Sequence, residues 1–124
     1  MPNNENRFSW HSRFKSFVYA WDGIKQFIKT EHNARIHLAL TLTVIVLCFV
    51  FKVTSYEAMN LIVVMALVWI TELLNTALEK AMDFISTEKH AQIKWVKDLA
   101  AGAVLVAAIA AVLVGLFVFV PKIF

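Results

Sequence analysis

Glu72, Asn75, Glu79 and Asp83 stand three, four and four residues apart inside the apolar run IVVMALVWITELLNTALEKAMDFI. At about 100° per residue that spacing puts all four on one helix face, within a stripe roughly 80° wide. Insertion scales charge roughly 2.5 to 3.5 kcal/mol for each ionised group at a bilayer centre, so the stripe is expected to point into protein and to have a use there. Glu72 and Glu79 are two turns apart, about 10 Å along the axis, too far to chelate one ion together. One can bind a divalent cation while the other accepts a proton. Glu79 and Asp83 lie nearer the polar end, where few carboxylates plus phosphate oxygens suit hydrated Mg2+. Glu72, deeper in the apolar zone, suits a general base. The structural alternative is an interhelical hydrogen-bond network that holds an oligomer together, with Asn75 either glue or a positioning group.

Other polar groups are less specific. Lys97-Asp98 opens a third apolar segment, and Lys97 is either a point-charge contact for phosphate or a snorkelling anchor. Taken alone, Glu31 reads as a solvated turn residue and His90 as a solvated loop imidazole. His11, His32 and His37 form no zinc-ligand spacing with His90. The chain has three glycines and no glycine-rich phosphate loop, so any nucleotide must be held by side chains and metal. No nucleic-acid partner is expected.

The elements that carry these groups are membrane helices. Of 124 residues, 60% are hydrophobic, and the mean hydropathy is +0.66, too apolar for an ordinary soluble domain. The reading is one membrane domain over 1–124: an amphipathic surface helix at 7–30 and spans at 34–52, 57–84 and 97–120. Residues 1–6 are expected to lack order, and Gly23 to bend the surface helix. Ser55 is the expected N-cap of the second span, and Pro121 the expected end of the third. No signal peptide is visible at the start. Cys48 lies within the first span and reads as a small hydrophobe. Lysines and arginines cluster before the first span and between the second and third. The positive-inside rule therefore puts the N-terminus and the 84–97 loop in the cytoplasm and the C-terminus outside. Ala103, Ala107, Ala111 and Gly115 recur every four residues, which favours helix association in lipid. A monomer of three spans has little interior for an acidic stripe, so an oligomer is expected.

ELLNTALE (Glu72 to Glu79), followed some twenty residues later by KDLAAGAVLV (Lys97 to Val106), closely resembles the prokaryotic diacylglycerol kinase family of small membrane lipid kinases. RFKSFVYAWDGI, the Glu31-x-x-x-Arg35-Ile-His37 approach to the first span and the Phe-Val-Pro-Lys ending add to the likeness, which runs from about Arg13 onward. The resemblance implies an all-α homotrimeric bundle of a bacterial inner membrane, transferring the γ-phosphate of MgATP to a lipid hydroxyl. It implies Glu72 as catalytic base, Asn75 as a positioning residue, and Glu31 and Glu79 as metal ligands. By the same likeness Tyr19, Glu31, Glu79, Glu88, Lys89, His90, Lys97 and Asp98 would contact the nucleotide. Arg13, Ser16, Trp21 and Glu72 would serve the lipid substrate. Arg13 lies six residues before Tyr19, where better-known members have an arginine seven before. The LLNTALE wording, the route into the first span and the Pro-Lys ending look more like the undecaprenol kinase branch than the diacylglycerol branch. Two other classes remain on the residues alone. A proton-coupled transporter would use Glu72 as a carrier, and a noncatalytic scaffold would use the stripe as a lock.

Overall fold

The computed structural model describes residues 8–124. The segment expected to lack order, 1–6, and the expected first residue of the surface helix, 7, lie outside the described residues. Among those described, the chain is all-helical: α1 (Trp10–Thr30), α2 (His32–Val50), α3 (Ser55–Ile85) and α4 (Ala91–Ile123). The last three are long and apolar enough to cross a membrane. By contacts the chain divides into Met1–Arg35 and Ile36–Phe124.

In the first unit, Ser9 caps α1 by accepting a hydrogen bond from the Ser12 N–H at 3.4 Å. The helix runs through Gly23 without a break. Glycine lowers helix propensity by about 1 kcal/mol but keeps its N–H in the ladder. At the other end, the Glu31 N–H donates to the Phe27 carbonyl. Arg35 then covers two more terminal carbonyls, Nε donating to Ile28 at 3.3 Å and Nη2 to Lys29 at 3.0 Å. Glu31 is thus fixed as the single non-helical residue between α1 and α2.

In the second unit α3 packs against α4 as an antiparallel pair. Leu61, Val64, Val68 and Glu72 are the buried residues of α3, and Ala100, Ala107 and Val118 those of α4. Small side chains such as Ala100 and Ala107 let the backbones approach closely, which replaces the hydrophobic driving force missing in lipid. Charged pairs mark both ends: Lys97 Nζ with Asp83 Oδ1 at 2.7 Å, and Lys122 Nζ with Glu57 Oε1 at 3.0 Å.

Two termini differ from the sequence reading. The N-cap of α3 is Thr54, not Ser55: its Oγ1 accepts the Glu57 N–H while Glu57 Oε1 accepts the Thr54 N–H, a reciprocal capping box. Pro121 does not end α4, which continues to Ile123 and closes with the Phe124 N–H on the Val120 carbonyl. A proline so near the terminus removes one N–H from a ladder that has almost finished, so the penalty for an interior position does not apply. α4 itself starts at Ala91, because His90 has extended backbone and Ala91 to Val96 contain no breaker.

Candidate active site

The buried apolar residues of α3 and its acidic residues form one line. Leu61, Val64, Val68, Glu72, Asn75, Glu79 and Asp83 follow one another at intervals of three and four, and the line changes from hydrocarbon to polar at Glu72. Exposure rises along it. Glu72 is 6% exposed, Asn75 and Glu79 are half-buried, and Asp83 is exposed.

Each polar member has a defined setting. Glu72 Oε1 lies 2.9 Å from His37 Nε2 on α2. An ionised carboxylate only accepts, so with Glu72 in that form the pair calls for the His37 tautomer that carries its proton on Nε2. One turn away on both helices, Trp69 Nε1–H donates to Thr41 Oγ1 at 2.8 Å, and the Thr41 hydroxyl donates to the His37 carbonyl at 2.7 Å. Asn75 Nδ2 donates to Glu79 Oε1 at 3.3 Å, while Asn75 Oδ1 is buried with no hydrogen-bond partner. A carboxylate beside an unused amide oxygen offers oxygen donors only, the chemistry of a hard divalent cation such as Mg2+. Among the described residues no three His, Cys, Asp or Glu side chains converge as a ready-made metal cage. Two protein groups nevertheless suffice for an ion that completes its shell with phosphate and water.

Beyond Asp83 the chain leaves α3 at Ser86 and re-enters helix at Ala91. Ser86 Oγ accepts the Glu88 N–H at 3.1 Å, which shapes the turn. This loop and the first turns of α4 enclose a cleft of about 490 Å³ lined by Asp83, Ser86 to Ala91, Ile93, Lys94, Lys97 and Asp98. Such a volume is ordinary for a small-molecule site. Three lysines, Lys89, Lys94 and Lys97, supply positive charge for an anion. Lys97 is held by Asp83, and Lys94 by Asp98, four residues on.

The structure therefore brings together Glu72, Asn75 and Glu79 on the α3 stripe, and Glu88, Lys89, His90, Lys97 and Asp98 around the loop cleft. The other sequence-expected residues belong to the first unit. Arg13, Ser16, Tyr19 and Trp21 are exposed on α1, with the Arg13 guanidinium 5.4 Å over the Phe8 ring and the Ser16 hydroxyl donating to the Ser12 carbonyl at 3.1 Å. Glu31 is the α1 C-cap and half-buried. Sequence reasoning missed His37, Thr41 and Trp69. The available signal was an imidazole, a hydroxyl and an indole N–H in otherwise apolar spans, each of which needs a partner when removed from water.

Comparison with known proteins bears on the same residues. A family model described as prokaryotic diacylglycerol kinase matches residues 18–119. The chain is 36% identical over 122 residues to a Bacillus subtilis protein named undecaprenol kinase, covering 98% of this chain and 99% of that one. It is 44% identical over 101 residues to a Synechocystis protein named diacylglycerol kinase, covering 81% of this chain and 58% of that one. With the Escherichia coli K12 protein named diacylglycerol kinase it shares 33% identity over 114 residues, 91% of each chain.

Proposed function

The chain belongs to the prokaryotic diacylglycerol kinase family and is a multi-pass membrane lipid kinase, and from that premise we propose that it uses ATP and Mg2+ to phosphorylate undecaprenol in preference to diacylglycerol. The product would be undecaprenyl phosphate. The observation that carries the substrate choice is the end-to-end match with the Bacillus subtilis undecaprenol kinase, which leaves almost no residue of either chain unaligned. Membership of a lipid kinase family also replaces the transporter and scaffold alternatives.

The site assignments come from the family resemblance, and the exposure gradient on α3 supports the order of those on that helix. Glu72, the deepest carboxylate, takes the proton of the lipid hydroxyl as that oxygen attacks the γ-phosphorus. Asn75 positions the reacting groups beside it. Glu79 and Glu31 would hold Mg2+, which when bound neutralises charge on the phosphate oxygens. The loop cleft takes the nucleotide, with Lys89, Lys97 and His90 toward phosphate and Glu88 and Asp98 as further nucleotide contacts. Tyr19 adds a nucleotide contact, and Arg13, Ser16 and Trp21 border the route of the lipid. Phosphoryl transfer needs positioning and charge neutralisation more than covalent chemistry, so no phosphate loop is required.

The working form is a single membrane domain assembled as a homotrimer in a bacterial inner membrane. In it α1 lies as an amphipathic helix at the surface, with the N-terminus and the 84–97 loop cytoplasmic and the C-terminus outside. The Lys and Arg distribution supports that orientation, and the Ala103/Ala107/Ala111/Gly115 repeat supports close helix association.

The test is transfer of labelled γ-phosphate from MgATP in detergent micelles, offering undecaprenol and diacylglycerol in parallel, with Glu72→Gln as control. Label in undecaprenol at the higher kcat/KM is expected. A preference for diacylglycerol would move the chain to the other branch, and label in neither from an intact oligomer would overturn the kinase assignment.

A further inference from the structure

We propose that His37 is a positioning residue for the catalytic base, holding Glu72 by Oε1 so that Oε2 takes the proton of the lipid hydroxyl. The inference rests on the reading of Glu72 as that base.

An ionised carboxylate that is 6% exposed in an apolar span needs a hydrogen-bond donor, since desolvating it unpaired costs several kcal/mol. Among the described residues His37 Nε2, at 2.9 Å, fills that role. The rest of the buried α3 line, Leu61, Val64 and Val68, is hydrocarbon, which packs without fixing the direction of a carboxylate.

His37 is itself held. Its carbonyl accepts the Thr41 hydroxyl, whose oxygen accepts Trp69 Nε1–H from α3. Two polar rungs, Glu72 to His37 and Trp69 to Thr41, therefore join the same pair of helices one turn apart. One rung would leave α2 free to rotate about it, whereas two fix both register and rotation. The His37 backbone is thereby held opposite Glu72, with its imidazole in reach of the carboxylate.

The step balances with His37 unchanged. The lipid oxygen forms its bond to the γ-phosphorus, and the bond from that phosphorus to the β,γ-bridging oxygen breaks. The electron pair leaves with ADP, and the hydroxyl proton moves to Glu72 Oε2. His37 keeps its Nε2 proton throughout and so anchors the base without serving as a second one.

Substitution separates these roles, because a glutamine amide nitrogen reaches the place of a histidine Nε2 but cannot act as a base at neutral pH. In the full-length oligomer, assayed in micelles with undecaprenol and MgATP, His37→Phe should lower kcat about 10- to 100-fold while both KM values stay within about twofold. His37→Gln should return kcat to within about threefold of the parent. Parent-like kcat in His37→Phe would overturn the inference, as would equal losses in His37→Phe and His37→Gln. If His37→Phe does not assemble, His37→Asn, which is polar but too short to reach Glu72, replaces it with the same expectations. Glu72→Gln run beside them keeps the two readings apart. An active Glu72→Gln removes the base assignment itself, whereas an inactive Glu72→Gln beside a fully active His37→Phe removes only the positioning role.

Discussion

The inward line of α3 has two halves with the same geometry and different contents. Leu61, Val64 and Val68 are buried hydrocarbon and leave nothing polar to satisfy. Glu72, Asn75, Glu79 and Asp83 continue the same spacing, and each has a specific polar neighbour: His37, Glu79, Asn75 and Lys97 respectively. The apolar half thus works by shape and tolerates rearrangement. The polar half works by direction, and one displaced atom there leaves a buried group unsatisfied. Because a single rigid helix carries both, packing in the first half sets the depth and rotation at which the second presents its carboxylates.

The sharpest way to break that contrast is Glu72→Gln, which preserves size and should lower kcat by about 10³-fold with assembly intact, as loss of a general base does. Near-normal turnover in lipid phosphorylation would make the polar half structural like the apolar one. Glu79→Ala should raise the Mg2+ concentration for half-maximal rate by about 10- to 100-fold, read from metal titrations of activity. An unchanged titration would place the metal elsewhere. At the edge of the line, Lys97→Ala should raise the KM for ATP about tenfold, the scale of one charge-assisted hydrogen bond, with kcat less affected.

In the apolar half the signature should reverse. Leu61→Ala is expected to cost about 1–2 kcal/mol of stability in thermal or denaturant unfolding, chiefly as lost van der Waals contact, and to leave both KM values alone. Thr54→Ala removes one side of the capping box and should cost about 1 kcal/mol in the same measurement.

Much of the polar half was legible in advance, because a carboxylate every three or four residues in a hydrophobic run has few explanations. The Ser86–His90 break was legible for the same local reason, a polar cluster between apolar periods. The cap of α3 was missed by one residue: Thr54 and Ser55 are equally good caps by type, and only the reach of Glu57 back to the Thr54 N–H decides between them. Pro121 was overread because its penalty depends on how much helix follows it. His37 was missed for a different reason. Its partner is 35 residues away, and a lone imidazole has no periodicity to betray it. Local pattern revealed the buried carboxylate, whereas the imidazole paired with it belongs to tertiary structure.

The helices also differ in length. At about 1.5 Å per residue, α2 measures roughly 28 Å, close to the hydrocarbon thickness of a bilayer, whereas α3 measures roughly 46 Å. The Glu57–Lys122 pair at one end of the α3–α4 hairpin resists being drawn into hydrocarbon, so in a bilayer the surplus would emerge at the loop end. A membrane thicker by about 5 Å would submerge one further turn of α3, the interval from Asn75 to Glu79. In vesicles of graded acyl-chain length, the rate of phosphate transfer should pass through an optimum where the bilayer surface falls between Glu72 and Glu79.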